Sequence, residues 1–80
     1  MRLPRDVSGQ QLADALGVLG YTPTRQSGSH LRVTTQVNGE HHVTIPLHTN
    51  LRVGTLSALL NDVQSHFQIT RDELLTRLGF

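Results

Sequence analysis

The sequence predicts an α+β fold: a two-layer sandwich in α-β-β-β-α order, with a three-stranded antiparallel sheet and an extra helix at the C-terminus. Three observations predict it. Leucines recur at helical spacing toward both ends of the chain, at Leu12, Leu16 and Leu19 and again at Leu56, Leu59 and Leu60. Between them, Leu31, Val33, Val43, Ile45 and Leu47 occupy odd-numbered positions, the period of half-buried strands. The pair Asn38-Gly39 divides that alternating stretch and marks a hairpin.

Val7-Ser8-Gly9-Gln10-Gln11-Leu12 starts the first helix with two devices, a capping box of Ser8 with Gln11 and a hydrophobic staple of Val7 onto Leu12. Gly20 follows the last turn as its left-handed residue. Residues 21–26 read as a short strand, and Pro23, which has no N–H to give a ladder, assigns it to a sheet edge. The turn Ser27-Gly28-Ser29 leads into a second strand over about 30–36, and a third runs over about 40–48.

A two-residue Asn-Gly turn would set Thr35 opposite His42 and pair odd positions with even ones. The apolar pattern requires odd to meet odd. A three-residue loop, Val37-Asn38-Gly39, with Gly39 in a left-handed bulge satisfies it by pairing Gln36 with Glu40 and Thr34 with His42. His30, Arg32, Thr34 and Gln36 then share an open face with His42, Thr44, Pro46 and His48. In this register His30 lies opposite Pro46, with His48 as its diagonal neighbour. His41 falls on the core-directed side near the hairpin tip, where it is expected to stay wet.

A second helix is expected over about 52–63, weakened at its first turn by Gly54, and packed beside the first on the odd face of the sheet. Thr70 with Glu73, and Ile69 with Leu74, repeat the capping and stapling devices for a third helix over about 70–78. The length allows one domain, over 1–80, with its core over about 7–64.

Composition narrows the function classes. There is no cysteine, so disulfide frameworks and thiolate zinc sites are excluded, and a reducing cytoplasm suits the chain. The stretch from Met1 to Asp6 carries charge without a following apolar run, so neither a leader nor a membrane span is expected. Seven basic residues, all arginine, against six acidic ones give a net charge of +1, too little to attract nucleic acid by bulk electrostatics. Arginine's planar fork nevertheless matches phosphate oxygens, which leaves local contacts open. Tyr21, Phe67 and Phe80 are the only aromatics, too few for a sheet that reads single strands by stacking.

Arg25-Gln26-Ser27-Gly28-Ser29-His30 places an imidazole at the mouth of a strand beside a flexible turn and close to arginine. RNA is cut without metal when a base takes the proton of the 2′-hydroxyl, which attacks the adjacent phosphorus, and an acid protonates the departing oxygen. An imidazole, with a pKa of about 6.5 as a free side chain, serves in either role near neutrality. Five histidines also invite a metal site of His30, His42 and His48, but zinc sites carry tighter spacings or mixed ligands, and no HExxH or cysteine pattern is present. No metal and no cofactor is assigned.

Gly28-Ser29-His30 opening the second strand, with Ile45-Pro46 and Gly54-Thr55-Leu56, resembles the HicA (YcfA-like) toxins over about residues 10–63. The resemblance implies a fold like the double-stranded-RNA-binding domain and a metal-independent endoribonuclease that cleaves messenger RNA. It also implies a HicB-like antitoxin as partner. By the same resemblance His30 is the catalytic residue, with Gly28 and Ser29 shaping its turn. Arg25 and Arg32 are candidates to hold phosphate, and His48 is a candidate second acid or base. The alternative is a binding module of the same fold that grips RNA or protein without cutting.

Overall fold

The computed structural model describes residues 3–80; Met1 and Arg2, part of the N-terminal stretch read above, lie outside the described residues. The elements follow in the order α1 (Gly9–Ala15, tightening into a 3-10 turn at Leu16–Leu19), β1 (Thr22–Ser27), β2 (His30–Thr35), β3 (His41–Pro46), α2 (Val53–Phe67) and α3 (Arg71–Leu78). The strands form one antiparallel sheet in the order β1-β2-β3, so β1 is an edge, as Pro23 requires. The helices lie against one face of the sheet. With extents of 31 × 29 × 18 Å, the molecule is as thin as one sheet and one helix layer allow.

α1 and α3 are both capped where expected, but only α1 closes the full capping box. At α1 the Ser8 hydroxyl accepts the Gln11 N–H at 3.0 Å, and the Gln11 side chain accepts the Ser8 N–H at 2.8 Å. At α3 the Thr70 hydroxyl accepts the Glu73 N–H at 3.1 Å, while the Glu73 carboxylate meets that hydroxyl at 3.3 Å. Gly20 and Gly79 close their helices in the left-handed region. The start of α1 is pressed onto the end of β3, where Gly9 N–H donates to the His48 carbonyl at 3.0 Å. A Cβ at Gly9 would sit 2.0 Å from the Pro46 carbonyl oxygen, so this approach needs a residue with no side chain.

The β2-β3 register pairs Leu31 with Ile45, Val33 with Val43 and Thr34 with His42, the odd-to-odd match that the apolar pattern demands. Gly39 takes φ 97°, and Asn38 is left-handed as well at φ 60°. Leu31, Val33, Val43 and Ile45 are buried under α1 and α2. Among the described residues no helix covers the even face.

Three details differ from the sequence reading. First, α2 runs past residue 63 to Phe67 and ends where Gln68 turns left-handed at φ 54°. His66 and Phe67 in that added turn pack on the hairpin tip and on Tyr21. Second, His41 is not a wet residue. Its ring meets the Tyr21 hydroxyl at 2.7 Å and Asp62 at 3.1 Å, stacks on His66 at 4.4 Å, and its side chain is only 18% exposed. Third, the core extends beyond 7–64. Leu74, Leu75 and Leu78 of α3 are buried in the same cluster as the leucines of α1 and α2. Arg71 fastens α3 to α2 through Gln64, Asn61 and Ser57.

Candidate active site on the open face of the sheet

An irregularity in β1 decides what the open face presents. Thr22 pairs with Thr34 and Pro23 with Val33, but the next pairs are Arg25 with Arg32, Gln26 with Leu31 and Ser27 with His30. Two residues of β1 therefore oppose one of β2, a bulge at Thr24. Before it, the even residue Thr22 shares the open face. Beyond it the parity is reversed, and Arg25 and Ser27 come onto the side of Arg32 and His30. Pro23 is the sequence signal for this, because a residue without an N–H is tolerated at bulges as well as at edges.

The result is a shallow cavity of about 230 Å³ lined by Arg25, Ser27, His30, Arg32 and Thr44. Across the sheet these form two rows, Arg25 and Arg32 with Thr44, then Ser27 and His30 with Pro46. Rows on one face are two residues apart, about 7 Å along the strand. No carboxylate lines the cavity, and two arginines are direct cross-strand partners, a like-charge pair that costs stability unless an anion joins them. Arg32 Nε is buried without a hydrogen-bond partner. Among the described residues no hydrogen bond engages the His30 ring, and His30 is exposed at the start of β2.

The adjoining row toward the hairpin tip is closed upon itself. The Thr24 and Thr34 hydroxyls meet at 2.8 Å, Thr34 meets His42 Nδ1 at 2.7 Å, and His42 Nε2 meets Glu40 at 2.9 Å. The hydrogen bond from His42 holds the Glu40 carboxyl below its usual range, helped by one from Gln36. On the other side of the sheet, burial pushes the Tyr21 phenol well above its usual range, and the charge of Asp62 adds to this.

Of the six residues singled out in the sequence, the structure brings His30, Arg25 and Arg32 around one cavity. Gly28, at φ 58°, and Ser29 make the β1-β2 turn beside it without lining it. The Ser29 carbonyl accepts the Leu47 N–H at 2.6 Å, which carries the β2-β3 ladder one step past the strands' ends. His48 is exposed beyond β3 and outside the cavity's lining. Ser27 and Thr44 line it and were not singled out. Thr44 was legible from the parity of β3, whereas Ser27 reaches this face only through the bulge.

The model of the family described as "HicA toxin of bacterial toxin-antitoxin" matches residues 9–64. The chain belongs to the HicA toxin family. No curated protein and no solved structure matches it. The HicA match takes in α1, all three strands and α2 as far as Gln64, so the whole cavity lies inside it. The last turn of α2 and all of α3 lie outside the HicA match, although α3 shares the core. Membership places the chain with the toxins of toxin-antitoxin systems, whose general class of partner is an antitoxin. No helix among the described residues is long and apolar enough to cross a membrane.

Proposed function

We propose that this HicA-family chain is a metal-independent endoribonuclease acting on messenger RNA in the cytoplasm, with His30 as its catalytic residue. The observation that carries this reading is the convergence of His30, Arg25 and Arg32, from two strands, on one cavity free of carboxylates. The two guanidiniums hold the non-bridging oxygens of the scissile phosphate through charge-assisted hydrogen bonds and offset the charge that builds on them. Arg32 Nε, buried without a partner, is a donor that such an oxygen satisfies.

His30 takes the proton of the 2′-hydroxyl as its oxygen bonds to phosphorus. The bond from phosphorus to the 5′ oxygen breaks, the departing oxygen takes a proton from water on this exposed face, and the proton held by His30 neutralises the hydroxide left behind, which restores the imidazole. The upstream fragment is left with a cyclic phosphate. Gly28 and Ser29 set the turn that places His30, and His48 stands one row further on, where a longer RNA strand passes. A HicB-like antitoxin silences the site by covering the open face.

The test is expression of the wild-type chain and of His30→Ala, followed by cleavage with purified protein. Growth arrest should be lost in the variant. Cleavage should survive EDTA and leave a cyclic phosphate. Arrest that persists in His30→Ala would favour a binding module, and activity lost to EDTA and restored by zinc or magnesium would move the chemistry to a metal.

A further inference from the structure

We infer that Thr24 is a positioning residue of this site: its hydroxyl pins the bulge that turns Arg25 and Ser27 onto the face of His30, and so assembles a two-arginine phosphate clamp. The clamp rests on the proposed function only in taking its phosphate from RNA; as an anion site it stands on geometry alone. Strict alternation along β1 would put Arg25 and Ser27 on the side where Leu31 and Val33 are buried. One extra residue, Thr24, prevents this.

A bulge leaves part of the ladder unpaired, and here Pro23 also lacks an N–H. The Thr24 side chain stands in for what the backbone cannot supply. Its Oγ1 lies 3.3 Å from the Arg32 carbonyl oxygen and 2.8 Å from Thr34 Oγ1. Thr34, almost fully buried, is tied in turn to His42 and through it to Glu40. The bulge on an exposed edge strand is thus fastened across all three strands.

The geometry also joins the two arginines. Thr24 holds the backbone of Arg32, whose Nε has no partner, and is the chain neighbour of Arg25, which stands opposite Arg32. Two like charges facing each other on an edge strand tend to part. A strand free to slip by one residue would relieve the repulsion by turning Arg25 away. The Thr24 hydroxyl opposes that slip, and this is why we assign it to the site rather than to stability alone.

The test uses the full chain with two probes that are bound without being cut: inorganic phosphate, and an RNA oligonucleotide blocked as 2′-O-methyl. In the wild type, phosphate should shift the Nε–H signals of Arg25 and Arg32 and leave those of Arg52 and Arg77 in place. Thr24→Val should keep the chemical shifts of α1, α2 and α3 yet bind both probes about tenfold more weakly, the loss of one charge-assisted contact. Thr24→Ser, which restores the hydroxyl, should restore binding. Where cleavage is measured, Thr24→Val should raise KM and lower kcat together, because the clamp also meets the charge that builds in the transition state, and Thr24→Ser should recover both.

Binding by Thr24→Val as tight as wild type, or failure of Thr24→Ser to rescue, would overturn the assignment. So would a wild-type titration in which Arg25 and Arg32 do not respond, a result that stands even if Thr24→Val does not fold. Binding that follows these expectations in a protein that cuts no RNA would leave the clamp intact and remove only the nuclease reading.

Discussion

At the residue scale, parity decides which side chains can meet. His30 and Arg32 share a face because they lie two apart on β2, and Thr44 joins them by register. This much was legible once the apolar residues had fixed the hairpin. The place of Arg25 was not. Residues 22–27, Thr-Pro-Thr-Arg-Gln-Ser, have no apolar member besides proline and are exposed throughout, so no alternation shows where the parity breaks. The setting of His41 is hidden from the sequence for the opposite reason. Its partners Tyr21, Asp62 and His66 come from distant parts of the chain, and spacing within one strand cannot reveal them.

Glu40 gives a pH prediction at this scale. Its hydrogen bond from His42, with a further one from Gln36, lowers its pKa in the folded chain below the usual 4.5. A group with a depressed folded pKa contributes stability above its unfolded value and loses it as pH falls through the folded one. The wild type should therefore melt higher than Glu40→Gln at neutral pH, and the gap should close as the pH is taken below 4.5. Glu40 is exposed, so the gap should also narrow with added salt. Melting curves of both proteins across that range check it. A gap that stayed constant would mean that the carboxylate's charge contributes nothing.

At the element scale, caps and staples fix where helices start far better than leucine spacing fixes where they end. Ser8 and Thr70 were placed correctly because a cap is a local hydrogen bond between near neighbours. Leucine spacing ends α2 four residues short of Phe67 because Gln64, Ser65 and His66 extend no apolar stripe. What holds that turn is tertiary: His66 Nε2 donates to the Val37 carbonyl at 2.9 Å, and Asn38 donates to the His66 carbonyl at 2.9 Å. The third helix is the larger lesson. It lies outside the family match, yet Leu74 is 0% and Leu75 1% exposed. A chain of this size has a stability of about 4 to 12 kcal/mol, and each buried leucine cut to alanine costs about 2 to 5 kcal/mol. Leu75→Ala should lower the urea midpoint by a large part of its range, and a chain ending near Gln68, which loses three such leucines, should not fold. Near-native melting of that truncation would show α3 to be an appendage.

At the scale of the whole molecule, all the helices gather on one face, so the opposite face of the sheet is what the molecule offers to partners. The net charge of +1 cannot draw RNA from a distance, and affinity must come from the few cations that meet phosphate directly. This makes the salt dependence diagnostic. Each phosphate neutralised on a single strand adds about 0.7 to the slope of log affinity against log salt, so Arg25 and Arg32, which share one phosphate, should give a slope of roughly −0.7. Alanine at both positions should flatten that slope toward zero. The same substitution should weaken antitoxin binding, because a partner covering this face would use the two guanidiniums as anchors for its own carboxylates. Stability should hold or rise, since the pair repels when no anion lies between its members. Affinities of the double variant for RNA and for antitoxin, each measured over a range of salt, decide the matter. If antitoxin binding is unchanged while RNA binding falls, the antitoxin grips another surface, and inhibition does not work by covering the cavity.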